Sequence, residues 1–357
     1  MDHAGRRTRV AARLAEIGVP TILVTDRANV RYLTGFTGSA GVLLLSGDRP
    51  ALLLTDGRYT EQARREGSGV EVLTPATGLL RAAAERAVDA GASRIGFETS
   101  LPYASFGDLA ERLDGVELIG VSGLVEGERL TKDADEVRTL ERAQACTDAA
   151  FDAVIGGLRP GVTERQVALE LEIAMRRAGA DDRAFEPIVA FGERAAEPHH
   201  APTDRALTTG DVVKMDFGAL VDGYHADMTR TAALGDPGPE LRRIHATVLG
   251  AHEAGVAALT PGVQVREVEA AARAVVEEAG YGHAWVHPLG HGVGLQIHEA
   301  PILRRDERTM IPDGAVVTIE PGIYVPGLGG VRIEDMVEVT EDGPRPLPDA
   351  SKDLLVL

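Results

Sequence analysis

The chain has 357 residues, 44% of them hydrophobic, and its 55 acidic against 37 basic side chains leave a formal net charge of −18. So acidic a balance excludes a general binder of nucleic acid or anionic membrane, both of which need a basic face. The one cysteine, Cys146, excludes an intrachain disulfide and a multi-cysteine metal site, and it reads as a small buried apolar residue.

From the N-terminus, residues 6–17 have a helical pattern and 21–25 a strand pattern, with further strands at 42–45 and 51–54. A helix is expected over 59–66, a strand over 70–74, a helix over 79–90 and a strand over 94–98. Such alternation implies an α/β layer domain. The glycine-rich run 35–41 lacks a Gly-Lys-Ser/Thr ending and precedes a strand, so it is a turn rather than a phosphate loop. No apolar segment follows the charged N-terminus, and no apolar run approaches the ~20 residues of a membrane helix. A cytoplasmic protein is the expectation.

The polar, charge-rich stretch 122–135 reads as a linker between two parts of unlike charge. Residues 1–130 hold 17 acidic and 15 basic side chains, a balance of −2, whereas 131–357 hold 38 and 22, a balance of −16. Two domains are expected, 1–125 and 126–357, the second opening on a long helix over 134–158.

The second part repeats itself. Leu158-Arg159-Pro160-Gly161-Val162 returns 101 residues later as Leu259-Thr260-Pro261-Gly262-Val263, and Ala178-Gly179 meets Ala279-Gly280 at the same offset. Each Pro-Gly turn starts an amphipathic helix that ends at a glycine. Farther on, His199 pairs with His298 at an offset of 99, Asp216 with Glu320 at 104, and Asp227 with Glu334 at 107. A duplicated half with small loop insertions accounts for the series, because chance would hardly align two acids with acids and a histidine with a histidine.

Nine of the ten histidines lie after residue 198, in the region of the repeat. Within 212–230, Asp222-Gly223 is a strong two-residue hairpin turn. Closing it there pairs Val221 with Tyr224, Gly218 with Asp227, and Asp216 with Thr229. Strand alternation then puts Asp216 and Asp227 on one face as diagonal neighbours, ~7–8 Å apart by backbone. Two like charges held that close need a cation or a shared proton.

The second copy has a strand over 315–321 carrying Glu320 and another over 331–339 carrying Glu334. Both glutamates face one way only if the loop within 326–330 has an odd length. Between the copies, His287-Pro288-Leu289-Gly290-His291-Gly292 sets a histidine among glycines, where another backbone can approach closely. Four acids and one imidazole suit two divalent cations about 3.5–4 Å apart. Oxygen-rich ligation favours Mn2+ over a thiolate-type zinc site. An isolated acid is ordinarily a solvated strand-end residue; a symmetric set of four is not.

These motifs resemble the pita-bread metallopeptidase family, which includes aminopeptidase P, prolidase, methionine aminopeptidase and creatinase. The resemblance is carried by Met215-Asp216-Phe217-Gly218, His225-Ala226-Asp227-Met228-Thr229-Arg230, Gly290-His291-Gly292-Val293-Gly294 and Ile297-His298-Glu299. It continues through Thr318-Ile319-Glu320-Pro321-Gly322 and Val331-Arg332-Ile333-Glu334-Asp335, so that it spans about residues 130–345. Residues 29–41 and Asp56-Gly57-Arg58-Tyr59 resemble the creatinase-type N-terminal domain of the Xaa-Pro-cleaving members. The implied fold is an α/β creatinase-type N-terminal domain followed by an α+β pita-bread domain with internal pseudo-two-fold duplication.

The resemblance implies metal ligands at Asp216, Asp227, His291, Glu320 and Glu334, holding two divalent ions, Mn2+ first and Co2+ or Zn2+ as alternatives. Unlike creatinase, which works without metal, this chain has all five. His199 matches the family's substrate-site histidine and His298 the one that contacts the scissile carbonyl, while His287 and Arg332 match positions typical of Xaa-Pro peptidases. Glu320, His298, His199 and Arg332 are the expected catalytic set; His199, His287, His298 and Arg332 are the expected substrate contacts. His200, His225 and His283 read as polar neighbours or surface residues, and His245 and His252 lie on a helical pattern facing solvent or core.

The activity implied is metal-assisted hydrolysis of Xaa-Pro bonds, with proline-containing peptides or dipeptides as partners. The 35–41 and 56–59 patterns lean toward an aminopeptidase P, which removes the residue before proline from longer peptides. The alternative is a prolidase, which splits only the dipeptide. From another class comes a catalytically inactive peptide-binding relative, against which the full ligand set speaks. Metal-independent hydrolysis of a creatine-like substrate would leave five ligand-type residues without a role. A homodimer is implied by the resemblance alone.

Overall fold

A computed structural model describes residues 1–113 and 115–357, and the chain divides into two units, Met1–Arg129 and Leu130–Leu357. The first unit is a six-stranded mixed sheet in the order Glu71–Leu73, Leu52–Thr55, Gly41–Ser46, Thr21–Val24, Arg94–Glu98, Glu117–Val121. Thr21–Val24 lies between an antiparallel and a parallel neighbour, which explains why all four of its residues are buried. Leu23, Val42, Leu44, Leu54 and Ile95 pack against Ala82, Ala83, Ala84 and Ala87 of the helix Leu79–Asp89. The α/β alternation expected of this part is present, and 35–41 is a turn: Gly35 ends the helix Arg27–Thr34 in the left-handed region at φ +80°.

In the first unit four elements escaped the sequence patterns, the strand Glu117–Val121 and three helices. Arg27–Thr34 and Tyr103–Arg112 are helices, and the supposed linker 122–135 contains the helix Leu124–Arg129. That stretch looked polar because it is charge-rich, yet Leu124, Val125 and Arg129 are buried. The Arg129 guanidinium donates inside to the Asn29 side-chain carbonyl at 2.7 Å.

The second unit builds each of its halves from a helix pair and a set of strands. Ala134–Ile155 and Glu164–Arg177 form the first pair, Pro239–Ala257 and Val265–Glu278 the second. Asp133 and Glu136 close a capping box on the first helix, and Thr163 and Gln166 close one on the second. The Pro-Gly turns are built alike: the Gly161 N–H donates to Leu207 O and the Gly262 N–H to Ile311 O. Both glycines sit at positive φ, +91° and +82°, where a side chain would strain the turn. Cys146 is buried, as read from the sequence.

Strand Val212–Phe217 lies between Ile188–Phe191 and Met228–Ala233. In the other half, Val316–Ile319 lies between Gly290–Gly292 and Asp335–Thr340, and its hairpin continues through Gly322–Val325 and Gly329–Arg332. Among the described residues no helix is long and apolar enough to cross a membrane.

Candidate metal centre

The first hairpin has the expected register. Val221 faces Tyr224 and Asp216 faces Thr229, so Asp216 and Asp227 are diagonal on one face. In the second hairpin Val325 faces Gly329 across the three residues 326–328, the odd loop that the shared face requires. Glu320 and Glu334 therefore project to the same side. The hairpins meet at Thr229 and Glu334, where the Glu334 N–H donates to Thr229 O at 3.1 Å.

His291 reaches this meeting point because its neighbours have no side chains. A Cβ on Gly290 would lie 2.0 Å from Thr318 O, and one on Gly292 2.2 Å from Ala300 O. The His291 N–H donates to Thr318 Oγ1 at 3.0 Å. Its Nδ1–H donates to the Gly292 carbonyl at 3.0 Å, which leaves Nε2 with a free lone pair toward the acids. Nε2 lies 3.5 Å from Asp227 Oδ2 and 3.3 Å from Glu320 Oε1.

Asp216, Asp227, His291, Glu320 and Glu334 all line one cavity of about 340 Å3, and His199, His287, His298 and Arg332 line it too. All nine residues singled out in the sequence thus come together. The rest of the lining is largely apolar, from Phe185, Ile188, Pro198, Ile297 and Ile302. His298 stands edge-on to His291 with ring centres 4.4 Å apart.

Burial, then the neighbouring charges of Glu334, Asp216 and Glu320, raises Asp227 well above the usual carboxylate range. Burial and the charges of Glu320 and Asp216 do the same to Glu334. Glu320 is pushed up to about 7, chiefly by burial, and burial lowers His291 to about 4. Crowded acids that hold protons and an imidazole that sheds its own are the signature of a site built to share a cation. Two geometric facts agree. Ligand atoms of Asp227, His291 and Glu334 lie within 4.8 Å of one another, and Asp216 Oδ1 is buried with no hydrogen-bond partner. The residues present therefore fit a divalent metal.

Arg332 is more deeply committed than its sequence position suggested. It is 3% exposed, and its guanidinium donates to Asp216 Oδ2, to Thr229 Oγ1 at 3.0 Å and to the Tyr324 hydroxyl at 2.9 Å. Thr229 in turn donates to Glu334 Oε2 at 2.6 Å. The Tyr324 hydroxyl lies 2.8 Å from His287 Nε2, while His287 Nδ1–H donates to Pro288 O at 2.7 Å. His287 must then accept the Tyr324 proton, and burial keeps its ring neutral at about 3.

Four contributors were not singled out beforehand: Thr229, Thr318, Tyr324 and Lys214. Strand alternation could have found two of them, since Lys214 and Thr318 lie two residues before Asp216 and Glu320. Thr229 could have been found as the partner of Asp216 in the expected register. Lys214 is fully buried, and burial, with Arg332 nearby, lowers its ammonium from the usual lysine range, while three backbone carbonyls accept from it. His200 has partners of its own, Glu164 at 2.9 Å and Glu197 at 2.7 Å. His245 and His252 are buried in the core.

Residues 138–341 match the metallopeptidase family M24, and residues 6–131 match the creatinase/prolidase N-terminal domain. An uncharacterized peptidase, YqhT of Bacillus subtilis, is 40% identical over 96% of this chain and 97% of its own. The structure of an Xaa-Pro dipeptidase from Bacillus anthracis superposes with a TM-score of 0.96 at 41% identity, covering 99% of this chain and 100% of that one. An X-Pro aminopeptidase from Thermotoga maritima superposes at 0.91 with 33% identity, covering 98% and 99%.

Proposed function

Because the chain belongs to metallopeptidase family M24, we propose that it hydrolyses Xaa-Pro bonds, as a dipeptidase, with two divalent ions held by Asp216, Asp227, His291, Glu320 and Glu334. The observation that carries this reading is the convergence of these five side chains on one cavity with His199 and His298. A volume of about 340 Å3 is at the small end for ligand pockets and suits a dipeptide. The name of the Bacillus anthracis neighbour favours the dipeptide over the longer peptides toward which the 35–41 pattern leaned. The name of the Thermotoga maritima neighbour keeps aminopeptidase action as the second reading. Mn2+ is the ion we propose, from the oxygen-rich donor set.

When held by Asp216, Asp227, His291, Glu320 and Glu334, divalent ions would lower the pKa of water and polarise the scissile carbonyl. Glu320, set in the cavity with its side chain toward His291, would take up the proton of the attacking water and pass one to the prolyl nitrogen. His298, at the cavity mouth, donates to the oxyanion as it develops. His199 faces the proline side. His287 has both ring nitrogens occupied and serves as a wall rather than a donor. Arg332, donating to Asp216, Thr229, Tyr324 and the Pro198 carbonyl while lining the cavity, holds the acids in place.

Assay of Ala-Pro against Ala-Pro-Pro with added Mn2+ tests the reading. Cleavage of the dipeptide alone is expected. Cleavage of the tripeptide alone would establish the aminopeptidase, and inactivity with Mn2+, Co2+ and Zn2+ alike would leave a peptide-binding relative.

A further inference from the structure

Of the 37 basic side chains in this sequence only three are lysine: Lys132, Lys214 and Lys352. Arginine fills nearly every position where a cation merely faces solvent. Two of the lysines meet carboxylates, Lys132 at Glu299 and Lys352 at Asp335. Lys214 is different. Its Nζ donates to the backbone carbonyls of Glu197 at 2.6 Å, Ala195 at 3.1 Å and Pro198 at 3.4 Å. The Tyr324 ring centre lies 5.1 Å from the same nitrogen.

An ammonium offers three donors splayed about one atom, whereas a guanidinium is a flat fork. Three carbonyls converging on a single point are what the ammonium matches. Those carbonyls lie at the end of the 3-10 turn Gly192–Ala196 and just after it, where helix-end oxygens lack partners within the turn; Pro198 O also accepts from Arg332 at 3.4 Å, whereas Ala195 O and Glu197 O are held by Lys214. The next residue is His199, whose exposed side chain lines the cavity. On its far side the chain is anchored again: Glu164, fully buried, accepts from His200 Nε2 and from the Thr203 N–H, each at 2.9 Å. His199 is thus the free residue between two buried clamps.

We propose that Lys214 is a positioning residue for substrate binding: its ammonium fastens the 195–198 segment so that His199 stands over the cavity in the orientation that receives the substrate. This rests on the reading of His199 as a substrate contact in an Xaa-Pro peptidase. A residue acting only through His199 matters only while His199 is there, which a double-mutant cycle measures.

The cycle uses Lys214→Met, His199→Ala and the double variant in the full-length protein, assayed on Ala-Pro with Mn2+. Lys214→Met is expected to raise KM about tenfold, with kcat within about threefold and unchanged bound Mn2+. Lys214→Arg does not rescue it, and in the His199→Ala background the same change moves KM less than about twofold. Should the methionine variant fail to fold, Lys214→Gln, with two N–H donors and a similar stem, goes through the same cycle. Hydrogen exchange of the 195–200 amides is read in parallel, and faster exchange confined to that segment is expected. An unchanged KM, or a full tenfold rise without His199, would overturn the inference. A His199→Ala variant with unaltered KM, or no hydrolysis at all, would instead defeat the reading beneath it, and the exchange data alone would then judge Lys214.

Discussion

Arg332 and Asp216 form an ion pair between the two halves of the duplicated unit, with side chains only 4% and 10% exposed. A guanidinium from the second hairpin so takes one oxygen of an acid on the first, and leaves the other, Oδ1, without a partner. The pair orients an acid toward the cavity while withholding half of its charge.

Removing Arg332 leaves Asp216 buried without its counter-ion. Arg332→Ala is expected to cost about 3–5 kcal/mol in the metal-free protein by urea unfolding. Saturating Mn2+ restores part of it, because a bound cation does the same electrostatic work. A loss below about 1 kcal/mol would show the pair to be idle.

Metal removal should make stability depend on pH in a recognisable way. Asp227, Glu334 and Glu320 have folded-state values above their unfolded ones, Glu320 at about 7. Their contribution is fully present below the unfolded value and is lost as pH rises through the folded one. His291, lowered to about 4, acts oppositely, but only below its unfolded value of about 6.5. The EDTA-treated protein is therefore expected to lose melting temperature as pH rises from about 4.5 through 7, most clearly above about 6.5 where His291 no longer opposes the loss, and the Mn2+ form to lose less. Proton release on Mn2+ addition, read in buffers of different ionisation enthalpy, is the companion measurement. A metal-free melting temperature that climbs across this window would contradict the assigned protonation.

Gly290→Ala would place a methyl group 2.0 Å from the Thr318 carbonyl, against backbone that cannot rotate aside. A stability loss of about 1–3 kcal/mol is expected, as for other overpacked sites. Because His291 is the next residue, Mn2+ affinity and activity fall further than the stability loss accounts for. Titration calorimetry and a melting curve on the same sample separate the two.

Asp335, fully buried beside Glu334, meets Arg230 at 2.7 Å, Lys352 at 2.9 Å and His252 at 3.3 Å. Although burial alone would raise its carboxyl, His252, Arg230 and Lys352 hold it far below the ordinary range. Asp335→Asn is expected to cost about 3–5 kcal/mol near neutrality. That difference is present above the unfolded value of about 3.9 and shrinks as pH falls below it. A gap that stays constant down to pH 3 would locate the stabilisation elsewhere.

Much of the site could be read along the chain, because hairpin geometry is local. The Asp222-Gly223 turn dictates that Asp216 and Asp227 share a face, and the three-residue loop 326–328 does the same for Glu320 and Glu334. Glycines flanking His291 announced the close approach of Thr318 and Ala300. The repeat at an offset of 101 announced two halves built alike.

What could not be read there is who meets whom across long separations. Arg332 is placed in the site by its position two residues before Glu334, but that it pairs with Asp216, 116 residues away, could not be read from the chain. Helix Leu124–Arg129 looked like a linker because its charges were visible and their buried partners were not. Periodicity and turn chemistry act over a few residues, so the chain alone specified the acidic residues, their faces and their pairing. Burial and ion pairing depend on distances that exist only once the halves have packed. The engagement of Arg332 and the raised carboxyls of Asp227, Glu320 and Glu334 came from that step, and the clamp of Lys214 on 195–198 from the folding of the first half around its central strand.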